Sequence, residues 1–209
     1  RFRAVNNNGN LGNSSRMITK NTLRKEILEK RKLLLVQEQQ EAENSLFQLW
    51  STIKDSYKTD KVALYYAVNG EISTNRIISS LITEGSECFL PIISKNKKDK
   101  SLEFALFNEK DSLAVNRFGI QEPENSKTIE LDELDIIFLP CVCFDSKGNR
   151  IGMGQGFYDE TLNKLTANKE TQLIVLAYDF QEVESCMPEA HDIKADACLT
   201  PNKYLEFKD

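Results

Sequence analysis

The stretch Asp135-Ile-Ile-Phe-Leu-Pro-Cys-Val-Cys-Phe144 decides the fold class. It is a near-continuous apolar run with no polar alternation, the pattern of a strand covered on both faces in a parallel sheet. Working outward, Gln172–Tyr178, Glu87–Ile93 and Lys61–Val68 read as further strands, the last closed by Asn69-Gly70. Leu102–Phe107 follows a charged loop, Lys95–Lys100, and has polar flanks, so it reads as an edge or hairpin strand. Ala195–Leu199 is a short last strand. Between these lie helical periodicities. Residues 20–40 carry Leu23, Ile27, Leu34 and Leu35, and residues 41–57 carry Leu46, Leu49, Trp50 and Ile53. A third helix, capped by Ser73 or Thr74, carries Ile77, Ile78, Leu81 and Ile82, and a fourth covers Tyr158–Thr166. Strands alternating with helices predict an α/β protein: three layers, α/β/α, around a mostly parallel central sheet.

The segment after the central strand carries the most chemistry. A turn at Ser146–Asn149 leads into Arg150-Ile-Gly-Met-Gly-Gln-Gly-Phe-Tyr-Asp159, which opens a helix. Gly152, Gly154 and Gly156 allow positive φ and close approach of the backbone to a ligand. Their N–H groups and the helix start form an anion cradle. Arg150 adds a planar fork suited to phosphate oxygens, and Asp159 a carboxylate that can hold a magnesium ion between them. The spacing is neither the dinucleotide fingerprint nor a P-loop. Taken alone it supports an anion site, against the plainer reading of a flexible strand–helix connection.

The 209 residues are 40% hydrophobic, enough for one domain, expected over residues 18–209. Net charge is −5, so no general basic face for nucleic acid or anionic membrane is expected. No apolar stretch is long enough to span a bilayer. Five cysteines without Cys-x-x-Cys spacing and a single histidine give poor support for zinc. They suit a reducing compartment, hence the cytoplasm, and Cys141-x-Cys143 reads as structural. The opening RFRAVNNNGNLGNSSR is basic, polar and expected to be disordered, so residues 1–17 are set apart as a leader. It reads either as sequence added ahead of a native start at Met17 or as part of an organelle transit peptide, which would make the location mitochondrial.

Read with its flanks, Leu139-Pro-Cys-Val-Cys-Phe-Asp145, Gly148-Asn-Arg150 and Gly-x-Gly-x-Gly-Phe-Tyr-Asp159 closely resemble the signature of the 5-formyltetrahydrofolate cyclo-ligases, also called methenyltetrahydrofolate synthetases. Lys20-x-x-Leu23-Arg24, Gly70-Glu71-Ile72, Pro91, Gly119-Ile120-Gln-Glu122-Pro123 and His191-Asp192-Ile-Lys-Ala-Asp196 fall in the family's order. The resemblance runs over residues 18–205. Residues 95–117 match only loosely, so no site is placed there. Cys141 and Cys143 stand where the family often has Gly or Ala, and Met153 where many members have a basic or aromatic side chain.

The resemblance implies a fold like that of sugar-phosphate isomerases and CoA-transferase-like proteins. It also implies ATP-driven closure of 5-formyltetrahydrofolate, or its polyglutamates, to 5,10-methenyltetrahydrofolate using Mg²⁺; a monomer is the default expectation. On this basis Lys20, Arg24, Arg150, Gly152, Met153, Gly154, Gln155, Gly156, Phe157 and Tyr158 would bind ATP. Arg150 and Lys20 would act in catalysis. Tyr66, Glu71 and the loop residues Met153 to Phe157 would face the folate, and Asp159 and Asp192 would hold the metal. The i, i+4 spacing of Lys20 and Arg24 puts both on one helix face. Two rivals remain open at this point: a catalytically inactive cyclo-ligase-like binding module, and a sugar-phosphate or CoA enzyme of similar fold.

Overall fold

The computed structural model describes residues 18–94, 100–124, 127–165 and 170–207. The leader, most of the charged loop at 95–99 and the end of the fourth expected helix lie outside them. The main sheet is built from β1 (Lys61–Ala63), β2 (Glu87–Ile93), β3 (Leu102–Phe107), β6 (Thr128–Ile129), β7 (Ile136–Pro140), β10 (Gln172–Leu176), β12 (Ala197–Leu199) and β13 (Tyr204–Glu206). Its strand order is β13-β12-β10-β7-β1-β2-β3-β6. The five strands from β12 to β2 run parallel, and β13, β3 and β6 pair antiparallel at the flanks. The sheet is therefore mostly parallel, with β7 at its middle. β3 is the hairpin partner of β2, one of the two expected alternatives, and not an edge strand, because the two-residue β6 pairs along its outer side.

Period-two alternation assigns the faces. Ile136 and Phe138 of β7, with Ile174 and Leu176 of β10, point to one cluster. That cluster includes Leu46 and Trp50 of α2 (Val36–Ile53) and Ile77, Ile78 and Leu81 of α3 (Asn75–Thr83). Ile137 and Leu139, with Leu173 and Val175, point to the other, which is closed by Leu134, Phe144 and Leu162. Leu162 ends α4 (Phe157–Leu162), a single short helix. The second outer layer is thus much thinner than the first.

Boundaries differ from expectation: the helix expected over 41–57 covers Val36–Ile53, and the strands expected over Gln172–Tyr178 and Ala195–Leu199 are Gln172–Leu176 and Ala197–Leu199. The helix expected over 20–40 is two: α1 (Lys20–Lys32) ends at Leu33, and α2 starts after Leu35. The break carries no Gly or Pro; Glu38 accepts the Leu35 N–H at 2.7 Å and starts the new helix. The strand expected over 61–68 is a strand only to Ala63; Leu64 N–H still donates to the Phe89 carbonyl, and beyond it the chain bonds to turns and side chains. The run 135–144 is also two strands. β7 stops at Pro140, and β8 (Cys143–Asp145) joins a small second sheet with β9 (Arg150–Ile151) and β11 (Glu182–Val183). The fourth helix is six residues, Phe157–Leu162, rather than 158–166.

α1 packs on that second sheet, through Leu23, Ile27 and Leu28 against Val142, Cys143 and Ile151. This places α1 beside the carboxyl ends of the parallel strands. Phe138 is fully buried, edge-on to Trp50 at 5.2 Å. Phe138→Ala is expected to lower stability by about 3–5 kcal/mol, because the rigid sheet cannot collapse into the space left. Urea denaturation of the variant checks this.

Candidate functional site

A cavity of about 500 Å³ opens where β7 leaves the main sheet. This is the crevice outside the carboxyl ends of the strands, where open α/β sheets bind ligands. The residues singled out in the sequence line it together: Lys20, Arg24, Tyr66, Glu71, Arg150, Gly152 to Asp159, and Asp192.

The hairpin β8–β9 sets the start of the glycine loop. Asp145 Oδ1 accepts N–H bonds from Lys147 (3.0 Å) and Asn149 (3.1 Å), and Oδ2 accepts the Cys186 N–H at 2.9 Å. Asn149 Nδ2 donates to both oxygens at 3.0 Å. Burial opposes the charge of this carboxylate. The hydrogen bonds outweigh it and hold the group below the usual Asp value.

The loop then turns through Gly154 and Gly156, at φ +88° and +76°. Gly152 does not take a positive φ, contrary to expectation, so only two of the three glycines serve the backbone in that way. Arg24 lies against the loop. Its Nε donates to the Gly152 carbonyl at 2.8 Å, its Nη1 to Asn21 at 2.7 Å, and a Cβ at Gly154 would sit 3.6 Å from its guanidinium carbon. Lys20 bonds Glu189 at 2.9 Å and Asp192 at 3.0 Å. Burial works against its charge, but those bonds prevail and raise its pKa. Asp192, partly buried, is held below its usual value by the Glu189 N–H and Lys20.

Arg150 is nearly buried, at 5% exposure, and its fork is occupied. Nη2 bonds Asp159 Oδ1 at 2.6 Å, and Nη1 donates to the Ile193 carbonyl. Sequence reading treated Arg150 and Asp159 as separate; the structure makes them an ion pair. Asp159 Oδ2 accepts no bond from the described residues, and a third of the side chain is exposed. Among the described residues no group of three His, Cys, Asp or Glu could hold a metal. These carboxylates therefore fit a hard cation completed by phosphate oxygens and water, and do not form a cage on their own.

The far wall is apolar and acidic. Tyr66 meets Phe107 edge-on at 5.6 Å, and Tyr158 is pushed well up in pKa by burial. Glu71 Oε2 accepts the Val68 N–H at 3.1 Å. Burial raises its pKa, against the pull of Val68 and of Arg31, 3.7 Å away. Met153 is half exposed.

Sequence reading missed one wall. β4 (Leu113–Val115) and β5 (Gln121–Pro123) form a hairpin whose Asn116, Phe118 and Glu122 line the cavity. Glu122 Oε1 ties the hairpin to β2 through the Ile93 N–H at 2.7 Å, and Phe118 meets Phe157 edge-on at 5.6 Å. The only hints were the turn residues Asn116 and Gly119 and the family-like Gly119–Pro123.

A cavity at the carboxyl edge of a parallel sheet, with three cations and a glycine loop on one wall and a buried carboxylate on another, defines an α/β enzyme scaffold for an anionic, partly aromatic ligand. The model of the 5-formyltetrahydrofolate cyclo-ligase family matches residues 16–201. A 5-formyltetrahydrofolate cyclo-ligase of Haemophilus influenzae is 38% identical over 173 residues, covering 82% of this chain and 91% of the relative. That of Escherichia coli K12 is 32% identical over 183 residues, covering 87% and 100%. The solved structure of Aquifex aeolicus 5,10-methenyltetrahydrofolate synthetase superposes with TM-score 0.78 at 27% identity, over 92% of this chain and 94% of that one. A Mycoplasma pneumoniae synthetase shares the fold, with TM-score 0.72 at 23% identity. The chain belongs to the 5-formyltetrahydrofolate cyclo-ligase family.

Asp145→Ala leaves Lys147, Asn149 and Cys186 N–H groups without their acceptor. It is expected to cost about 3 kcal/mol or more, since bonds to charged groups are worth about 1.5–3 kcal/mol each. Because the folded-state pKa of Asp145 is depressed, its contribution is present above about pH 4 and is lost as the pH falls through the folded value. Thermal melts of wild type and variant between about pH 2 and pH 7 should therefore converge at the acid end.

Proposed function

We propose that this protein catalyses the ATP-dependent closure of 5-formyltetrahydrofolate to 5,10-methenyltetrahydrofolate, releasing ADP and phosphate. The observation that carries the reading is one cavity shared by the cationic glycine-loop wall and the buried Glu71 wall. α1 measures the separation. Lys20 stands at its start, and Arg31, beside Glu71, lies eleven residues on, about 16 Å along the axis at 1.5 Å per residue. That span leaves room for the phosphates of one substrate to meet the pterin end of the other.

The formyl group on N5 is an amide, and its oxygen leaves poorly. Transfer of the terminal phosphate of ATP to that oxygen makes it a leaving group. N10 then attacks the formyl carbon, which closes the ring; N10 gives up its proton, and departure of phosphate from the tetrahedral carbon leaves the methenyl C=N⁺. The protein has little covalent work to do in such a transfer; position and charge dominate. Lys20, Arg24 and the loop backbone of Gly152 to Tyr158 hold the triphosphate. The Arg150 fork, fixed by Asp159 and Ile193, neutralises charge that develops on the transferred group. Asp159 and Asp192 would hold Mg²⁺, which would supply positive charge to offset that of the phosphates. Glu71 accepts N–H bonds from the pterin, and Tyr66, Met153 and Phe157 offer it apolar surface. The substrate includes the polyglutamates, the working form is a monomer, and neither nucleic acid nor membrane is a partner. Five free cysteines agree with a reducing compartment, the cytoplasm, or mitochondria if the leader is a transit peptide.

The test follows the near-ultraviolet absorbance of the methenyl product with 5-formyltetrahydrofolate, with and without MgATP. Product should appear only with MgATP. None with MgATP present would favour an inactive binding module. Arg150→Ala should cut kcat/KM by about 100- to 1000-fold, the scale of losing one preorganised donor to developing charge. Unchanged turnover in a folded variant would show the phosphate centre to be elsewhere.

A further inference from the structure

Arg31 is a buried charge that none of the roles above uses. The residue is 1% exposed, although it sits in the last turn of α1 between Lys30 and Lys32. Nη2 donates to the carbonyls of Val68 at 3.1 Å and Asn69 at 2.8 Å, and Nη1 reaches that of Cys141 at 3.4 Å. Glu71 Oε1 lies 3.7 Å from Nη2. Taking a guanidinium out of water costs several kcal/mol, and a hydrocarbon would fill the space more cheaply. What the guanidinium supplies instead is direction and charge.

Both act on one turn. Asn69 and Gly70 are consecutive left-handed residues, at φ +52° and +73°. A Cβ at Gly70 would stand 3.3 Å from the Arg31 carbonyl oxygen, so the turn is pressed against the end of α1. Glu71 closes the same turn, donating its N–H to the Val68 carbonyl at 3.0 Å while its carboxylate accepts the Val68 N–H. Arg31 therefore pins the backbone on which Glu71 hangs and also faces its carboxylate. Lys20, Arg24 and Arg31 follow each other at steps of four and seven residues, one stripe of the helix. The stripe touches the Asp192 segment, the glycine loop and the Glu71 turn in order.

We infer that Arg31 is a positioning residue that fixes the Glu71 carboxylate in the cavity and joins it rigidly to the helix carrying Lys20 and Arg24. The inference rests on the reading of Glu71 as the pterin contact. It separates two substrates that share one cavity, because Arg31 does not itself line it. Its removal should weaken folate and spare ATP. It also concerns charge. The other titratable side chains around Glu71 are Tyr65, Tyr158, Tyr178 and Cys141, all raised by burial and neutral at pH 7. Arg31 is the one cation among these neighbours.

Steady-state kinetics on Arg31→Lys and Arg31→Met test this, each substrate being varied in turn, with a melt to verify folding. Arg31→Lys should raise the KM for 5-formyltetrahydrofolate about tenfold, a loss of one good hydrogen bond, and leave that for MgATP within about threefold. In Arg31→Met the folate KM should depend on pH more steeply than in wild type, falling as pH rises and Glu71 ionises. In a Glu71→Gln background that pH dependence should vanish. Equal rises in both KM values, flat with pH, would mean a merely structural role and overturn the inference, as would an unchanged folate KM. If Arg31→Met does not fold, the KM split in Arg31→Lys decides. Absence of wild-type turnover would sink the folate reading itself, a different failure from wild-type turnover with no split.

Discussion

The whole arrangement depends on one constraint: the central strand cannot continue past Pro140 in the sheet that it anchors. β7 is packed on both faces, by Trp50 and the α2–α3 layer on one side and by Phe144 and Leu162 on the other. Pro140 still pairs with Leu176, and beyond it the chain leaves for the second sheet. Proline lacks the N–H that a further ladder would need, and its fixed φ favours such an exit. The divergence opens the crevice, and the β8–β9 hairpin returns the chain across its mouth as the glycine loop. α1, seated on the second sheet rather than the first, follows the same crevice along its length.

Charge in that crevice is arranged by pairing. Arg150 is set by Asp159 and the Ile193 carbonyl, Lys20 by Asp192 and Glu189, and Arg24 by the Gly152 carbonyl. Each cation thus has a fixed place before a ligand arrives. Fixed dipoles and charges spare the reorganisation that water would need during transfer, the source of most catalytic advantage in such sites. The short α4 adds little dipole, so on the proposed reading side-chain cations and the backbone of the loop would carry the anion affinity.

Much of this was legible in the sequence, for physical reasons that can be named. Buried parallel strands announce themselves as apolar runs, so Glu87–Ile93 was read to the residue. The glycine loop was legible as a tight strand-to-helix connection, because Gly154 and Gly156 take the positive φ that glycine adopts without strain. The break in Asp135–Phe144 was not, since Cys141 and Val142 are buried too and polarity does not change where the chain changes sheets. The end of α1 was missed because Glu38 supplies the start signal without a Gly or Pro before it. Arg31, between Lys30 and Lys32, carries no local sign of burial. Its burial follows from where the Val68–Glu71 turn lands, a long-range fact that local pattern does not carry. The Asn116–Glu122 wall was missed for the same reason, its contacts being to Ile93 and Phe157.

The central claim is that two substrates meet in one cavity, phosphates at the glycine loop and pterin at Glu71. A crystal structure with a non-hydrolysable ATP analogue and 5-formyltetrahydrofolate bound together tests it most directly. The account expects the terminal phosphate against Arg150 and the Gly154–Gly156 backbone, with the formyl group beside it and the pterin on Glu71. A nucleotide bound away from the loop, or a folate that leaves Glu71 uncontacted, would contradict it.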